Sequence, residues 1–136
     1  SIRIETLPLD HRIYTNGNKE PINTFLRKYS KNTYFKTVIN DIKKIKKLKS
    51  KPHSLVVKKL GISCRYPGTF NSSIHAILKF KSYKKAILGT IKAGGCNCSR
   101  SNFIGSYFAA TNGFSCIPSE WIDKCIYSKK IVNFKI

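Results

Sequence analysis

The stretch from Ala93 to Gly105 reads AGGCNCSRSNFIG and carries the side chains best suited to chemistry. Cys96 and Cys98, one residue apart, offer sulfur to a metal or to a redox couple. Ser99 adds a hydroxyl, and Arg100 a guanidinium that matches phosphate or carboxylate geometry. Gly94 and Gly95 allow the backbone to approach a ligand closely, and the helix expected to follow offers free N–H groups to an anion. A phosphate-bearing ligand suits this geometry of glycine loop and helix start.

Other chemistries fit the residues less well. Structural zinc sites space their ligands as C-x2–4-C and need four of them. Here Cys64, Cys116 and Cys125 stand apart, and His11, His53 and His75 show no ligand spacing. A C-x-C pair also lacks the thioredoxin-like C-x-x-C context. His75, between Ile74 and Ala76, reads as a hydrogen-bonded core histidine, and Trp121 as a core anchor rather than a stacking platform. No Ser or Cys sits in a recognisable nucleophile elbow.

The elements that must position these residues read as helices. Residues 1–20 are weakly patterned and form an irregular lead-in. Pro21 then suits a first helical turn, with Ile22, Phe25, Leu26 and Tyr29 on one stripe. Asn32 is placed to cap the next helix, where Phe35, Val38, Ile39, Ile42, Ile45 and Leu48 recur at three- and four-residue spacing. His53 to Leu60 forms a short helix closed by Gly61. A loop with Pro67–Gly68 as its turn precedes a helix through Phe70, Ile74, Ile77 and Leu78. Tyr83, Ala86 and Ile87 mark one reaching Ala93. The glycine loop feeds a helix through Phe103, Ile104, Tyr107 and Phe108, ending near Gly113, and Pro118 opens a last one with Trp121, Ile122 and Cys125. Two-residue alternation occurs in the C-terminal KIVNFKI alone. The expected fold class is all-α, in one domain, with residues 21–136 as its helical part.

Composition bounds the function. The chain has 136 residues, with 26 Lys+Arg against 6 Asp+Glu for a net charge of +20. Such a field attracts polyanions, so nucleic acid or an anionic membrane surface enters as a partner class. Lys43, Lys44, Lys46, Lys47, Lys49 and Lys51 form the densest basic run, which reads equally as a solvated helix face. Drift of surface positions toward Lys in an AT-biased genome accounts for the same charge. No apolar run approaches the roughly 18–20 residues of a membrane span. The odd count of five cysteines fits reduced thiols in an intracellular, cytoplasmic setting. The chain starts at Ser1 and has no Met, as expected of a processed product or a piece of a longer protein.

From Pro52 to Lys124 the sequence resembles the C-terminal part of the ADP-ribosylglycohydrolase family. The resemblance is carried by YPGTF…HAIL, by the AGGCNCSR loop, by the IG…A…G helix and by IPSEW, in that order and spacing. The family subgroup whose loop reads GGDNCSR is the most similar. The resemblance implies a compact all-α fold that cleaves the glycosidic bond between ADP-ribose and a protein side chain or related acceptor. It also implies two magnesium ions, held between an N-terminal Thr-Asp-Asp cluster and a C-terminal Gly-Gly-Asp-x-Asp-Thr loop. The N-terminal cluster is absent from these residues. In the loop, Gly94 and Gly95 match the family glycines, Cys96 and Cys98 the two aspartates, and Ser99 the threonine.

Those departures change the chemistry. Magnesium requires hard oxygen ligands in near-octahedral geometry, and a neutral thiol replaces a carboxylate poorly. Cys96, Cys98 and Ser99 are therefore expected to be substituted metal positions rather than a zinc half-site. The resemblance leads to ADP-ribose, or an ADP-ribosylated protein, as partner at Gly94, Gly95, Asn97, Ser99 and Arg100, with magnesium-dependent hydrolysis impaired or lost. Two alternatives stay open: a non-enzymatic polyanion or nucleic-acid binder acting through Lys43 to Lys51, and a structural relic.

Overall fold

A computed structural model describes residues 21–132. The lead-in of residues 1–20 lies outside them. Among the described residues there are eight α-helices, one 3₁₀ turn and no strand. They are α1 (Pro21–Lys28), α2 (Lys36–Lys47), α3 (His53–Leu60), α4 (Gly68–Lys79), α5 (Tyr83–Lys92), α6 (Asn97–Asn112), the 3₁₀ turn Phe114–Cys116, α7 (Ser119–Asp123) and α8 (Ser128–Val132). None is long and apolar enough to cross a membrane.

Helix α6 lies against α4 and α5, while α4 also receives α3 and α2. This arrangement follows from the stripes. In α2, Ile39, Ile42 and Ile45 fall three apart and are buried, leaving the lysines of the other face in solvent. Helix α4 is buried from Gly68 through Ile77, which suits a helix enclosed by its neighbours. Ile104 and Phe108 of α6 meet Ile74, Ile77, Ala86 and Ile87 in one core. The Phe70 and Phe103 rings meet edge-on with centroids 5.8 Å apart. Helices α5 and α6 come close where Gly105 faces Tyr83: a Cβ there would lie 3.3 Å from the Tyr83 hydroxyl. A second aromatic group, Phe25, Tyr29 and Phe35, pins α1 to the start of α2, with centroids 5.1 to 5.8 Å apart.

Several boundaries differ from the sequence expectation, each for a local reason. The Asn32 side chain does not cap α2. Its Oδ1 accepts from the Tyr34 N–H at 2.9 Å, an Asx turn one step before the helix, whose N-cap is Phe35. Gly68 is the first residue of α4 rather than part of the preceding turn, because its buried Cα packs against Gly61, where a Cβ would meet backbone. The helix after Pro118 is only five residues long, leaves Cys125 outside, and is followed by α8. The alternating pattern at the C-terminus does not yield a strand where it is described. Residues up to Val132 are helical, since a lone strand has no partner to satisfy its backbone. Gly61 and Gly113 close α3 and α6 as expected, both at positive φ.

Candidate functional site

The glycine loop joins the end of α5 to the start of α6. Ala93 caps α5, and Gly94 and Gly95 then take φ values of 75° and 72°, which L side chains rarely adopt. The Cys96 N–H donates to the Ile62 carbonyl at 2.7 Å, which ties this loop to the one after α3. A Cβ on Gly95 would collide with that same carbonyl, so glycine is required there by space as well as by φ.

Beneath the loop lies Arg100, fully buried. Its Nε donates to the Thr90 hydroxyl at 2.9 Å, and its Nη2 reaches the Thr90 carbonyl at 3.4 Å, Asn97 Oδ1 at 2.9 Å and the Gly94 carbonyl. Nη1 is buried without a protein partner. One guanidinium thus fastens the last turn of α5, the glycine loop and the first turn of α6. These acceptors are all neutral, so the charge is stabilised by dipoles rather than by a carboxylate. Burial pulls the Arg100 pKa below its usual value, while the neighbouring Cys96 opposes that shift.

The chain of polar contacts continues through Thr90 into a histidine pair that the sequence reading did not connect. His53 and His75 lie edge to edge, with rings 2° from parallel, centroids 5.2 Å apart and their Nδ1 atoms 2.9 Å apart. His75 Nε2 lies 2.9 Å from the Leu48 carbonyl, and His53 Nε2 lies 3.5 Å from the Thr90 hydroxyl. The Leu48 carbonyl can only accept, so His75 carries its proton on Nε2 and accepts on Nδ1 when neutral. His53 must then donate from Nδ1 and accept on Nε2. The Thr90 hydroxyl, which accepts from Arg100, supplies that proton. Donors and acceptors thereby match along the whole line from Arg100 to Leu48, with both imidazoles neutral. Burial lowers the His53 pKa to about 4, helped by His75, Arg100 and Lys79. Burial also lowers that of His75, against the Leu48 carbonyl.

The signal for this network is present in the sequence. Arg100 shares its helical stripe with Ile104, Phe108 and Thr111, all buried. Likewise His53 shares one with Val56 and Val57, and Thr90 one with Ala86 and Ile87. Polar residues on apolar stripes of three separate helices mark buried groups that need partners, though not which stripes meet. His75 is the hydrogen-bonded core histidine expected, and Trp121, half-buried against Tyr83 at 6.0 Å, is part of the core's edge.

The structure brings Cys96 and Ser99 together, with Sγ and Oγ 3.4 Å apart, while Cys98 is exposed. The Cys96 thiol is held below its usual pKa, first by the Ser99 hydroxyl, then by the Ser99 backbone, with the Cys64 thiol and Arg100 adding to the effect. This donor set does not fit magnesium. The matching positions offer two sulfurs and one hydroxyl but no carboxylate, and Asn97 Oδ1 is taken by Arg100. Among the described residues, no three His, Cys, Asp or Glu side chains converge to hold a metal.

The basic run is placed elsewhere. Lys43, Lys44, Lys46, Lys47, Lys49 and Lys51 are exposed on α2 and the turn after it. Lys46 Nζ donates to Asn23 Oδ1 at 3.1 Å. Two shallow grooves flank α5. One, of about 410 Å³, has His53, Ser54, Phe80, Lys85 and Lys92 in its lining; the other, of about 270 Å³, lies between Tyr83 and Gly105.

The all-helical architecture, with a double-glycine loop feeding a long helix, agrees with the fold that the sequence resemblance implies. The family model for ADP-ribosylglycohydrolase matches residues 10–134, and the chain belongs to that family. It is also similar to two crystallins of Tripedalia cystophora. Crystallin J1A is 37% identical and crystallin J1B 30% identical, each over 78 residues, or 57% of this chain. The matched segment spans 24% of each relative's length. No solved structure matches the chain.

Proposed function

We propose that this chain is the C-terminal helical part of an ADP-ribosylglycohydrolase-family protein that binds ADP-ribose through Gly94, Gly95, Asn97, Ser99 and Arg100 without magnesium-dependent hydrolysis. The observation that carries the reading is the fully buried Arg100 guanidinium beneath a loop whose two glycines hold positive φ. The first N–H groups of α6 have no helical partner of their own and favour an anion. Arg100 acts through the loop. It orients Gly94 and Asn97 and adds positive charge below the position a pyrophosphate would take. Hydrolysis would require carboxylates to place the metals that activate water and orient the ribose hydroxyls, and Cys96 and Cys98 supply none. Both relatives carry the name crystallin rather than that of an enzyme, which agrees with a role apart from hydrolysis.

The test uses a charge placed in the loop. Ser99→Asp puts a carboxylate in the first turn of α6, which suits the helix dipole but repels a phosphate. Calorimetric titration with ADP-ribose is expected to show affinity at least about tenfold weaker in this variant, with the melting temperature kept or raised. Binding as tight as in the natural chain would remove the loop as the ligand site.

A further inference from the structure

Residues of α3 and α5 wall a groove of about 410 Å³ that the proposed ligand loop leaves unused. Phe80, the residue after α4, gives it an aromatic lining. The Phe80 ring comes so close to Gly89 that a Cβ there would collide with it, and it meets the His53 imidazole edge-on at 5.7 Å. The ring is therefore fixed from both sides. On α5, Lys85, Leu88 and Lys92 follow one another at spacings of three and four residues, so they share one helical face, and all three line the groove. All three are exposed. Among the described residues, no carboxylate lines the groove or pairs with either lysine. The two ammonium groups thus flank an uncovered apolar surface, their Cα atoms about 10 Å apart along the helix axis.

We infer that this groove docks an acidic amphipathic helix of a partner protein, with carboxylates two turns apart on either side of apolar side chains. Both helices rise by the same amount per residue, so carboxylates seven positions apart on the partner come level with Lys85 and Lys92. The apolar side chains between them then cover Leu88 and Phe80. Burial of that surface supplies the affinity, and the lysines fix register and favour encounter with an acidic chain. Other occupants suit the groove less well. A second copy of the chain carries the same net charge of +20 and is repelled. A nucleic-acid strand satisfies the lysines through its phosphates but gives Leu88 no apolar cover. This docking requires neither ADP-ribose nor a metal.

The probe is a fluorescein-labelled, alanine-rich synthetic peptide with two glutamates seven positions apart and two leucines between them. Its anisotropy is followed as the full chain is added, and a peptide with lysines in place of both glutamates serves as control. Saturable binding of the glutamate peptide alone is expected. The double variant Lys85→Gln with Lys92→Gln should weaken it at least about tenfold, and Leu88→Gln about threefold or more. Lys43→Gln with Lys47→Gln removes the same charge from α2 and should weaken binding less than about twofold, as screening by salt dictates at that distance. These side chains are exposed, so all the variants should keep the melting temperature of the natural chain. Equal losses in the two double variants would reduce the attraction to net charge and overturn the assignment. So would unchanged binding in Leu88→Gln together with full displacement of the peptide by a thymidine oligonucleotide, which would mark a general polyanion surface. Absence of binding by the glutamate peptide would overturn it as well.

Discussion

Arg100 concentrates the argument at the residue scale. Its side chain bonds a hydroxyl, two carbonyls and an amide oxygen in the interior, so truncation leaves several buried groups unpaired. Arg100→Ala is expected to destabilise the fold by about 3 kcal/mol, measured by denaturant unfolding. A loss below about 1 kcal/mol would show that the guanidinium does not hold the loop. The histidine pair makes a second prediction. His53 has an ordinary pKa of 6.5 and a folded value of about 4, so the unfolded chain binds the proton first as pH falls. Its stabilising contribution is complete above about pH 7 and is lost between about pH 6.5 and 4, amounting to about 2 kcal/mol by about pH 5. Urea midpoints should fall over that window in the natural chain and much less in His53→Gln; equal slopes would contradict the neutral pair. The glycine loop was legible from the residues themselves, because a glycine pair ahead of a helix is a local signal, whereas the assignment of Cys96, Cys98 and Ser99 to ligand positions came from the family resemblance alone. The Arg100–Thr90–His53–His75 line was not legible, since it depends on which stripes of α3, α4, α5 and α6 face each other.

At the element scale, most helices could be read from periodicity, and their ends less well. Apolar spacing marks α2 and α4 clearly because each buries a continuous stripe. The ends depend on single hydrogen bonds. Asn32 turns on itself instead of capping α2, whereas Ser82 does cap α5 by accepting from the Lys85 N–H at 3.4 Å. Ser82→Ala is therefore expected to cost about 0.5–1 kcal/mol in thermal unfolding, and Asn32→Ala less. The reverse order would mean the helix starts are held otherwise. The contact between α5 and α7 through Lys84 and Glu120, 2.6 Å apart, involves two half-exposed side chains. Glu120→Gln should leave the thermal unfolding midpoint nearly unchanged, because water and salt screen such a pair.

For the whole molecule, charge and family membership act together. A net charge of +20 repels itself in the folded state, so the melting temperature is expected to rise as sodium chloride increases from about 20 to about 200 mM. A falling melting temperature would indicate that attractive ion pairs, not repulsion, dominate the surface. The fold class was legible because apolar spacing marks the helices and the family's loop and helix order is carried in the sequence. Hydrolytic competence was not, because it depends on whether the loop holds a metal, and the resemblance alone assigns Cys96 and Cys98 to ligand positions. The central claim is that the glycine loop reads ADP-ribose without magnesium. A thermal-shift titration with ADP-ribose, run once with magnesium and once with a chelator, tests it most directly. Equal stabilisation in both series is the predicted result; stabilisation that appears only with magnesium, or none in either series, would contradict it.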